Sequence, residues 1–169
     1  IGLVGSEMCI RDRLETATIE NSKNTGNVIG STNIGGIAGE SKGTITQCRN
    51  DGQVSKVVGV ICKTVNLGGL VGKNGEAARL SNSKNYGNVN SETDTLVNLG
   101  GICGILYNNS IVELCENNGA ISGSGKEIIP NEDTNTNCAS CTSNNGGSAS
   151  TDDFGQLNIG IIYGKYQEI

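Results

Sequence analysis

Short apolar stretches alternate with glycine- and asparagine-rich stretches along the chain, and two such patterns repeat. The apolar runs are often β-branched and are bounded by Gly and Asn, which is typical of strands separated by turns. No stretch carries apolar residues at the i, i+3, i+4, i+7 spacing of an amphipathic helix over three turns. The pattern therefore predicts an all-β protein built from short strands.

The first repeated pattern is a glycine block, Asn-aliphatic-Gly-Gly-aliphatic-x-Gly. Three good copies begin at Asn33, Asn66 and Asn98, at intervals of 33 and 32 residues. A degenerate copy begins at Asn158, 60 residues further on, which indicates an insertion before it. The Gly-Gly pair breaks strict alternation and indicates a bend or bulge. The repeat glycines are Gly35, Gly36, Gly39, Gly68, Gly69, Gly72, Gly100, Gly101 and Gly104.

The second pattern is an aliphatic residue, then Ser or Cys three positions on, then Asn-x-Gly-x-aliphatic. It occurs four times, interleaved with the glycine block in a constant order. Asn and Gly both tolerate the left-handed backbone, so each copy predicts a turn after a short strand. The first aliphatic is Ile19, Ile45, Leu80 or Val112, and the asparagine is Asn24, Asn50, Asn85 or Asn117.

A unit of 32–33 residues with three short strands cannot bury its own apolar side, whereas stacked units can. Successive coils would hydrogen-bond at the strand spacing of about 4.8 Å. Equivalent residues would then form columns, including an amide ladder of the repeat asparagines and a small-residue column of Ser22, Cys48, Ser83 and Cys115. The aliphatic columns would be Ile19, Ile45, Leu80 and Val112; Val28, Val54, Val89 and Ile121; and Ile37, Leu70 and Ile102. The sequence predicts a β-solenoid of about four coils.

At these residues the chain resembles a known family of repeats. Gly-Gly-Leu-Val-Gly at 68–72 resembles the GLUG motif, and 48–54 is similar to the Asn-Cys-x-Asn-x-Gly-x-Val stretch usually found beside it. Gln47 stands where that stretch has its first Asn. The resemblance covers residues 17–121 and, weakly, 158–164.

The resemblance implies a right-handed β-helix in a secreted or cell-surface bacterial protein. It also implies a non-catalytic role, as a structural stalk or as an adhesive or interaction surface. The alternative left open is the accessory β-helical region of a surface peptidase, or a carbohydrate-active β-helix enzyme.

Composition narrows the classes of function. The chain has no His, which excludes Ser–His and Cys–His catalysis and His-ligated zinc. A net charge of −5 and a pI near 4.7 argue against nucleic acid as a partner. No apolar run approaches the roughly 20 residues of a membrane-spanning helix. We predict no cofactor and no metal. The resemblance to GLUG repeats adds the expectation of no enzyme activity and of an unknown protein or glycan ligand at the cell surface.

The chain divides into four predicted segments. Residues 1–13 fit neither block and resemble translated sequencing-adapter peptide, although the tail of a preceding glycine block is a competing interpretation. Residues 14–130 hold the predicted solenoid coils. Residues 131–153 are rich in Ser, Thr, Asn, Gly and Asp and predict a flexible polar insertion. Residues 154–169 form a degenerate last coil.

Cysteines and acidic residues offer the remaining candidate chemistry. Cys138 and Cys141 form a CxxC, but no second CxxC and no βαβ context accompany it, so a local disulfide or two loop thiols is predicted. Cys48, Cys103 and Cys115 occupy repeat positions that favour buried packing, and no role is assigned to Cys62. Calcium could bind the acidic residues of the insertion, but no calcium-loop spacing is present, so solvated side chains are favoured. These acidic residues are Glu132, Asp133, Asp152 and Asp153.

Overall fold

A computed structural model describes residues 13–14, 17–57, 59, 62–91, 96–107, 109–124, 127–130, 138–144, 147–150, 156–160 and 163–167. Over these residues the chain is all-β, with 25 strands and no helix. The strands form five sheets of five strands each, and the neighbouring strands in each sheet are parallel. Such parallel stacking is consistent with a β-helix or solenoid-like fold.

The chain visits the five sheets in a constant order in three complete passes, 18–41, 44–74 and 79–107. We number the sheets 1 to 5 in the order in which the chain meets them from Thr18. Sheet 1 contains Thr18–Glu20, Thr44–Thr46, Arg79–Ser81, Ile111–Glu113 and Cys138–Ala139. Sheet 2 contains Lys23–Asn24, Arg49–Asn50, Lys84–Asn85, Glu116–Asn117 and Thr142–Ser143. Sheet 3 contains Val28–Gly30, Val54–Lys56, Val89–Ser91, Ile121–Ser124 and Gly147–Ser150.

The glycine blocks supply sheets 4 and 5, one on each side of the Gly-Gly turn. Sheet 4 contains, in spatial order, Asn33–Gly35, Thr64–Gly68, Leu96–Gly100, Gln156–Gly160 and Glu127–Pro130. Sheet 5 contains Arg13–Leu14, Ala38–Ser41, Val71–Asn74, Cys103–Tyr107 and Tyr163–Gln167. Its first strand pairs Arg13 with Glu40, so the last residue of the predicted leader is paired in this sheet.

Equivalent residues of successive passes lie in register, as the repeats predict. Ile19, Ile45, Leu80 and Val112 are paired in sheet 1, and Val28, Val54, Val89 and Ile121 in sheet 3. At the Gly-Gly turn, the Ile37 amide donates to the Leu70 carbonyl at 2.9 Å, and the Leu70 amide donates to the Ile102 carbonyl at 3.0 Å. One in-register ladder therefore continues through both strands and turns.

The interior contains two apolar clusters. The first fills the space between sheets 1 and 5 and contains Ala38, Ile45, Cys48, Leu70, Val71, Leu80, Ile102, Cys103, Leu106, Val112, Cys115 and Tyr163. The second lies between sheets 3 and 4 and contains Ile34, Val54, Val65, Leu67, Val89, Val97, Leu99, Ile121 and Ile159. Small and branched side chains fill most of this narrow interior, which accounts for a chain with 3% aromatic residues.

The structure describes residues 138–144 and 147–150 of the predicted flexible insertion, 131–153. Eight of these residues pair as the fifth strands of sheets 1, 2 and 3: Cys138–Ala139, Thr142–Ser143 and Gly147–Ser150. The pairing aligns Cys138 with Val112 and Gly147 with Ile121, so these strands are the structural equivalent of a fifth copy of the second pattern. Sequence reasoning missed this copy because Cys138 and Gly147 replace its aliphatic residues, Ser143 replaces its asparagine and Asn145 replaces its glycine.

After these fifth strands the chain turns back toward the third glycine block. Asn158 and Gly160 of the degenerate glycine block pair with Asn98 and Gly100 of the third block. The strand Glu127–Pro130 lies outside this returning strand, at the edge of sheet 4. The segment 138–150 therefore adds a fifth strand to sheets 1, 2 and 3, one strand beyond the position at which the degenerate glycine block pairs.

Candidate interaction surface

The repeat glycines allow close packing of backbone and amide groups. A Cβ at Gly36 would lie 2.2 Å from the Asn50 side chain, and one at Gly69 would lie 2.3 Å from Asn85 Nδ2. The last glycine of the block is equally constrained, because a Cβ at Gly72 would lie 2.4 Å from the Ile34 amide nitrogen. Gly104 and Gly164 face the backbone of sheet 4 in the same way. Only glycine fits these positions, so these glycines are required for packing rather than for binding a ligand.

The first glycine of each block closes the turn between sheets 4 and 5. A Cβ at Gly35, Gly68 or Gly100 would lie 2.0–2.2 Å from the carbonyl oxygen three residues later. Gly101, at this turn, and Gly39, in the strand Ala38–Ser41, are also buried. All nine predicted repeat glycines therefore lie at the Gly-Gly turn or in one of the two strands that it joins.

The repeat asparagines form a continuous amide ladder. Asn24 donates to Asn50 at 2.8 Å, Asn50 donates to Asn85 at 2.9 Å, and Asn85 donates to Asn117 at 2.8 Å. Asn117 extends the ladder by donating to the Ser143 hydroxyl at 3.2 Å. Each of the four asparagines also closes its own turn by bonding the glycine two residues later. The ladder meets the Gly-Gly turns between the two apolar clusters and satisfies buried amides there.

A second amide ladder was not predicted from the sequence. Asn66 donates to Asn33 at 2.7 Å, and Asn98 donates to Asn66 at 2.6 Å. These are the first residues of the glycine blocks, so the signal was present in the repeat. Sequence reasoning treated them only as turn markers because Asn is uncommon inside strands.

The corner between sheets 1 and 2 contains a left-handed residue in every copy of the second pattern. Asn21, Gln47, Asn82, Leu114 and Ser140 have φ between 49° and 54°. The Ser or Cys that follows bonds the carbonyl two residues back in four copies, with distances of 2.8–3.3 Å for Ser22, Cys48, Ser83 and Cys115. The corner therefore requires a small side chain with a donor, which explains the Ser/Cys column.

The outward face of sheet 2 bears a column of charged residues. Lys23, Arg49, Lys84 and Glu116 are paired across four neighbouring strands. Three stacked cations would repel one another, and Asp51 relieves this by contacting Lys23 Nζ at 2.9 Å and Arg49 Nε at 2.6 Å. Lys84 Nζ lies 2.8 Å from Glu116 Oε2. Beside them the Tyr86 ring lies 4.2 Å from the Arg49 guanidinium and is 39% exposed.

We call these six residues, Lys23, Arg49, Asp51, Lys84, Tyr86 and Glu116, the sheet 2 surface. Hydrogen bonds from Arg49 and Lys23 lower the pKa of Asp51, and hydrogen bonds from Lys84 and Asn118 lower the pKa of Glu116. The charges are thus fixed at neutral pH. Because exposed ion pairs contribute only about 0–1 kcal/mol, these side chains do little for the fold and remain available to a ligand.

The remaining candidate chemistry is limited. Over the described residues no group of three or more Cys, Asp or Glu could hold a metal ion, and no helix could cross a membrane. Glu132, Asp133, Asp152 and Asp153, the calcium candidates, lie outside the described residues. Cys48, Cys103 and Cys115 are buried thiols, as their repeat positions predict, and Cys141 is a half-buried thiol.

The chain matches no family model, no curated protein and no solved structure. The resemblance to GLUG repeats therefore stays a prediction from the motif residues.

Proposed function

We propose that this chain is a non-catalytic repeat module of a larger secreted or cell-surface bacterial protein. In this proposal the module is a right-handed β-solenoid of about four coils, related to GLUG repeats, and acts as a stalk or as an adhesive surface. The observation that carries the proposal is the in-register stacking of equivalent residues, Ile45 on Leu80 and Asn50 on Asn85 among them. In such stacking the repeated residues stabilise the fold, and the residues on the outward faces can differ from one coil to the next.

The sheet 2 surface is the part of the module that we assign to ligand binding. It presents a row of charges and an exposed aromatic ring on a rigid parallel sheet, which suits polar, planar or anionic groups of a protein or glycan. Arg49 and Tyr86 are adjacent, and together they offer a cation and a ring face to the same ligand. The net charge of −5 for the whole chain makes this local excess of cations distinct.

Immobilised panels of host glycans and of extracellular-matrix proteins test the binding role. The purified chain is compared with the triple variant Lys23→Glu, Arg49→Glu, Lys84→Glu. A matched control, Lys42→Glu with Lys63→Glu, changes two lysines that lie outside the sheet 2 surface. We expect the triple variant to lose at least tenfold in affinity for any ligand found, while the control keeps it.

Two results would contradict this proposal. Equal binding by the parent and the triple variant would show that the sheet 2 surface does not bind the ligand. Cleavage of any glycan or peptide in the panels by the parent would favour the alternative of a carbohydrate-active enzyme or a peptidase region. The location is tested separately, by protease treatment of intact cells that express the full-length protein, where an inaccessible chain would contradict it.

A further inference from the structure

Three thiols meet where the fifth strands of sheets 1 and 2 join the body of the protein. Cys103 and Cys115 belong to the first apolar cluster, and Cys141 packs against it. Cys115 is the Cys of the fourth copy of the second pattern, and Cys141 occupies the same position in the fifth copy. Both follow a left-handed residue, Leu114 in one copy and Ser140 in the other.

The register places Cys115 and Cys141 side by side. Pairing on one side aligns Glu113 with Ala139, and on the other it aligns Glu116 with Thr142. The Thr142 amide donates to the Cys115 carbonyl at 2.9 Å, so the ladder is unbroken between these pairs. Neighbouring parallel strands lie about 4.8 Å apart, within the 4.4–6.8 Å that a disulfide requires between Cα atoms.

The side chains of Cys115 and Cys141 both face the first apolar cluster. Cys115 is buried, Cys141 is half-buried, and both contact the cluster between sheets 1 and 5. A side-chain hydrogen bond with Cys141, together with burial, raises the pKa of the Cys115 thiol. The two sulfur atoms are therefore neighbours.

We propose that Cys115 and Cys141 form a cross-strand disulfide when the chain folds in the presence of a disulfide oxidant. The link would join the segment 138–150, which forms the fifth strands, to the fourth strands of sheets 1 and 2. This inference does not depend on the proposed function, because it rests on the strand pairing in sheets 1 and 2 and on the contact between the two thiols.

The chemistry is ordinary thiol–disulfide exchange, with oxidised glutathione as the oxidant. The more accessible Cys141 attacks one glutathione sulfur as its thiolate, which forms a mixed disulfide and releases one glutathione. Cys115 then attacks the Cys141 sulfur, and the second glutathione leaves. Two protein thiols are oxidised, one glutathione disulfide is reduced to two thiols, and the two protons pass to them.

The other cysteines are less well placed for Cys141 or Cys115. Cys48 is separated from Cys115 by Ser83 in the same column, which puts about 9.6 Å between their strands. Cys103 lies in sheet 5, and its strand pairs with Val71 and Tyr163 rather than with 138–143. Cys138 pairs with Val112 in sheet 1, one corner before Cys141.

The test is disulfide mapping after oxidative refolding. The reduced, unfolded chain is refolded in a mixture of reduced and oxidised glutathione, and the remaining thiols are blocked with N-ethylmaleimide. Trypsin and a Glu-specific protease then separate Cys115 from Cys103, because Glu113 and Glu116 flank Cys115. The parent is compared with Cys138→Ser, which removes the local competitor for Cys141, and with Cys62→Ser as a remote control.

We expect a Cys115–Cys141 cross-linked peptide in the parent and in both variants. Cys115→Ser should abolish that peptide and still fold, since Ser22 and Ser83 occupy the same column. Since 26 residues separate the two cysteines, the oxidised Cys138→Ser chain should melt about 5–10 °C above its reduced form.

Cys141 linked to Cys138 or Cys103 instead, or blocked by N-ethylmaleimide, would overturn the pairing. If Cys115→Ser does not fold, the map of the Cys138→Ser chain decides the question by itself.

Discussion

Asn85 provides the strongest test of the buried amide ladder. Its side chain is fully buried and takes part in four hydrogen bonds. It donates to Asn117 Oδ1 and to the Gly87 carbonyl, both at 2.8 Å, and accepts from Asn50 Nδ2 at 2.9 Å and from the Gly87 amide at 3.2 Å. Asn85→Ala removes all four bonds and leaves groups of three neighbouring residues without these partners.

The expected loss follows from the number of bonds. A buried hydrogen bond contributes about 1 kcal/mol net, so Asn85→Ala should lower the free energy of unfolding by about 3–5 kcal/mol. The matched control is Asn24→Ala, at the first position of the same ladder. Asn24 makes three bonds but lies where water reaches it, so we expect a loss of about 1 kcal/mol or less.

Urea unfolding followed by far-UV circular dichroism measures both variants, since the chain has no Trp to report by fluorescence. Asn85→Asp adds a third comparison, because a carboxylate cannot donate to Asn117 or Gly87 and its charge would be buried. It should be at least as damaging as Ala. Losses for Asn85→Ala and Asn24→Ala that agree within about 0.5 kcal/mol would show that the ladder adds nothing beyond solvation, and would refute the reasoning.

Three further predictions concern the turns and the sheet 2 surface. Gly87→Ala should destabilise the protein by about 1–3 kcal/mol or more, because the new Cβ would lie 1.8 Å from the Gly52 carbonyl oxygen, whereas Gly26→Ala, with 3.7 Å to its nearest atom, should be nearly neutral in the same urea assay. Leu114→Asn should raise the free energy of unfolding by about 0.5–1 kcal/mol, because Leu114 is 55% exposed and has φ 52°; a lower value than the parent's would contradict this account of the corner. Asp51 should titrate below its ordinary range in a carboxyl NMR experiment, since Arg49 and Lys23 lower its pKa, so its stabilising effect is present at neutral pH and lost as the pH falls through the folded value. An Asp51 titration that Arg49→Gln leaves unchanged would exclude this cause.

Several parts of the fold follow from local residues. Ile45, Leu80 and Val112 recur at one position of a repeat, and a repeated unit that cannot bury its own apolar side buries it on its neighbours. The same argument places Asn50 beside Asn85 and predicts their amide ladder. These features were predictable because each depends only on a residue and its equivalent one unit away.

The contacts of the glycine block could not be predicted by comparing a residue with its equivalent one unit away. The block predicts a bend at Gly36, but the reason for glycine there is the Asn50 side chain, which belongs to a different sheet. Likewise, the charges of the sheet 2 surface look scattered in the sequence because Asp51 lies two residues from Arg49 but 28 from Lys23. Stacking brings the three together.

The sequence by itself determined the all-β character, the repeat length and the identity of the stacked columns, because period and residue type act locally. Only the tertiary structure decided where the chain after Ser124 goes: outward to Cys138–Ala139 and Thr142–Ser143, then back so that Asn158 pairs with Asn98. The physical reason is that backbone hydrogen bonds on a sheet edge accept any strand, and Cys138, Ser143 and Gly147 join by backbone pairing without the side chains that mark a repeat.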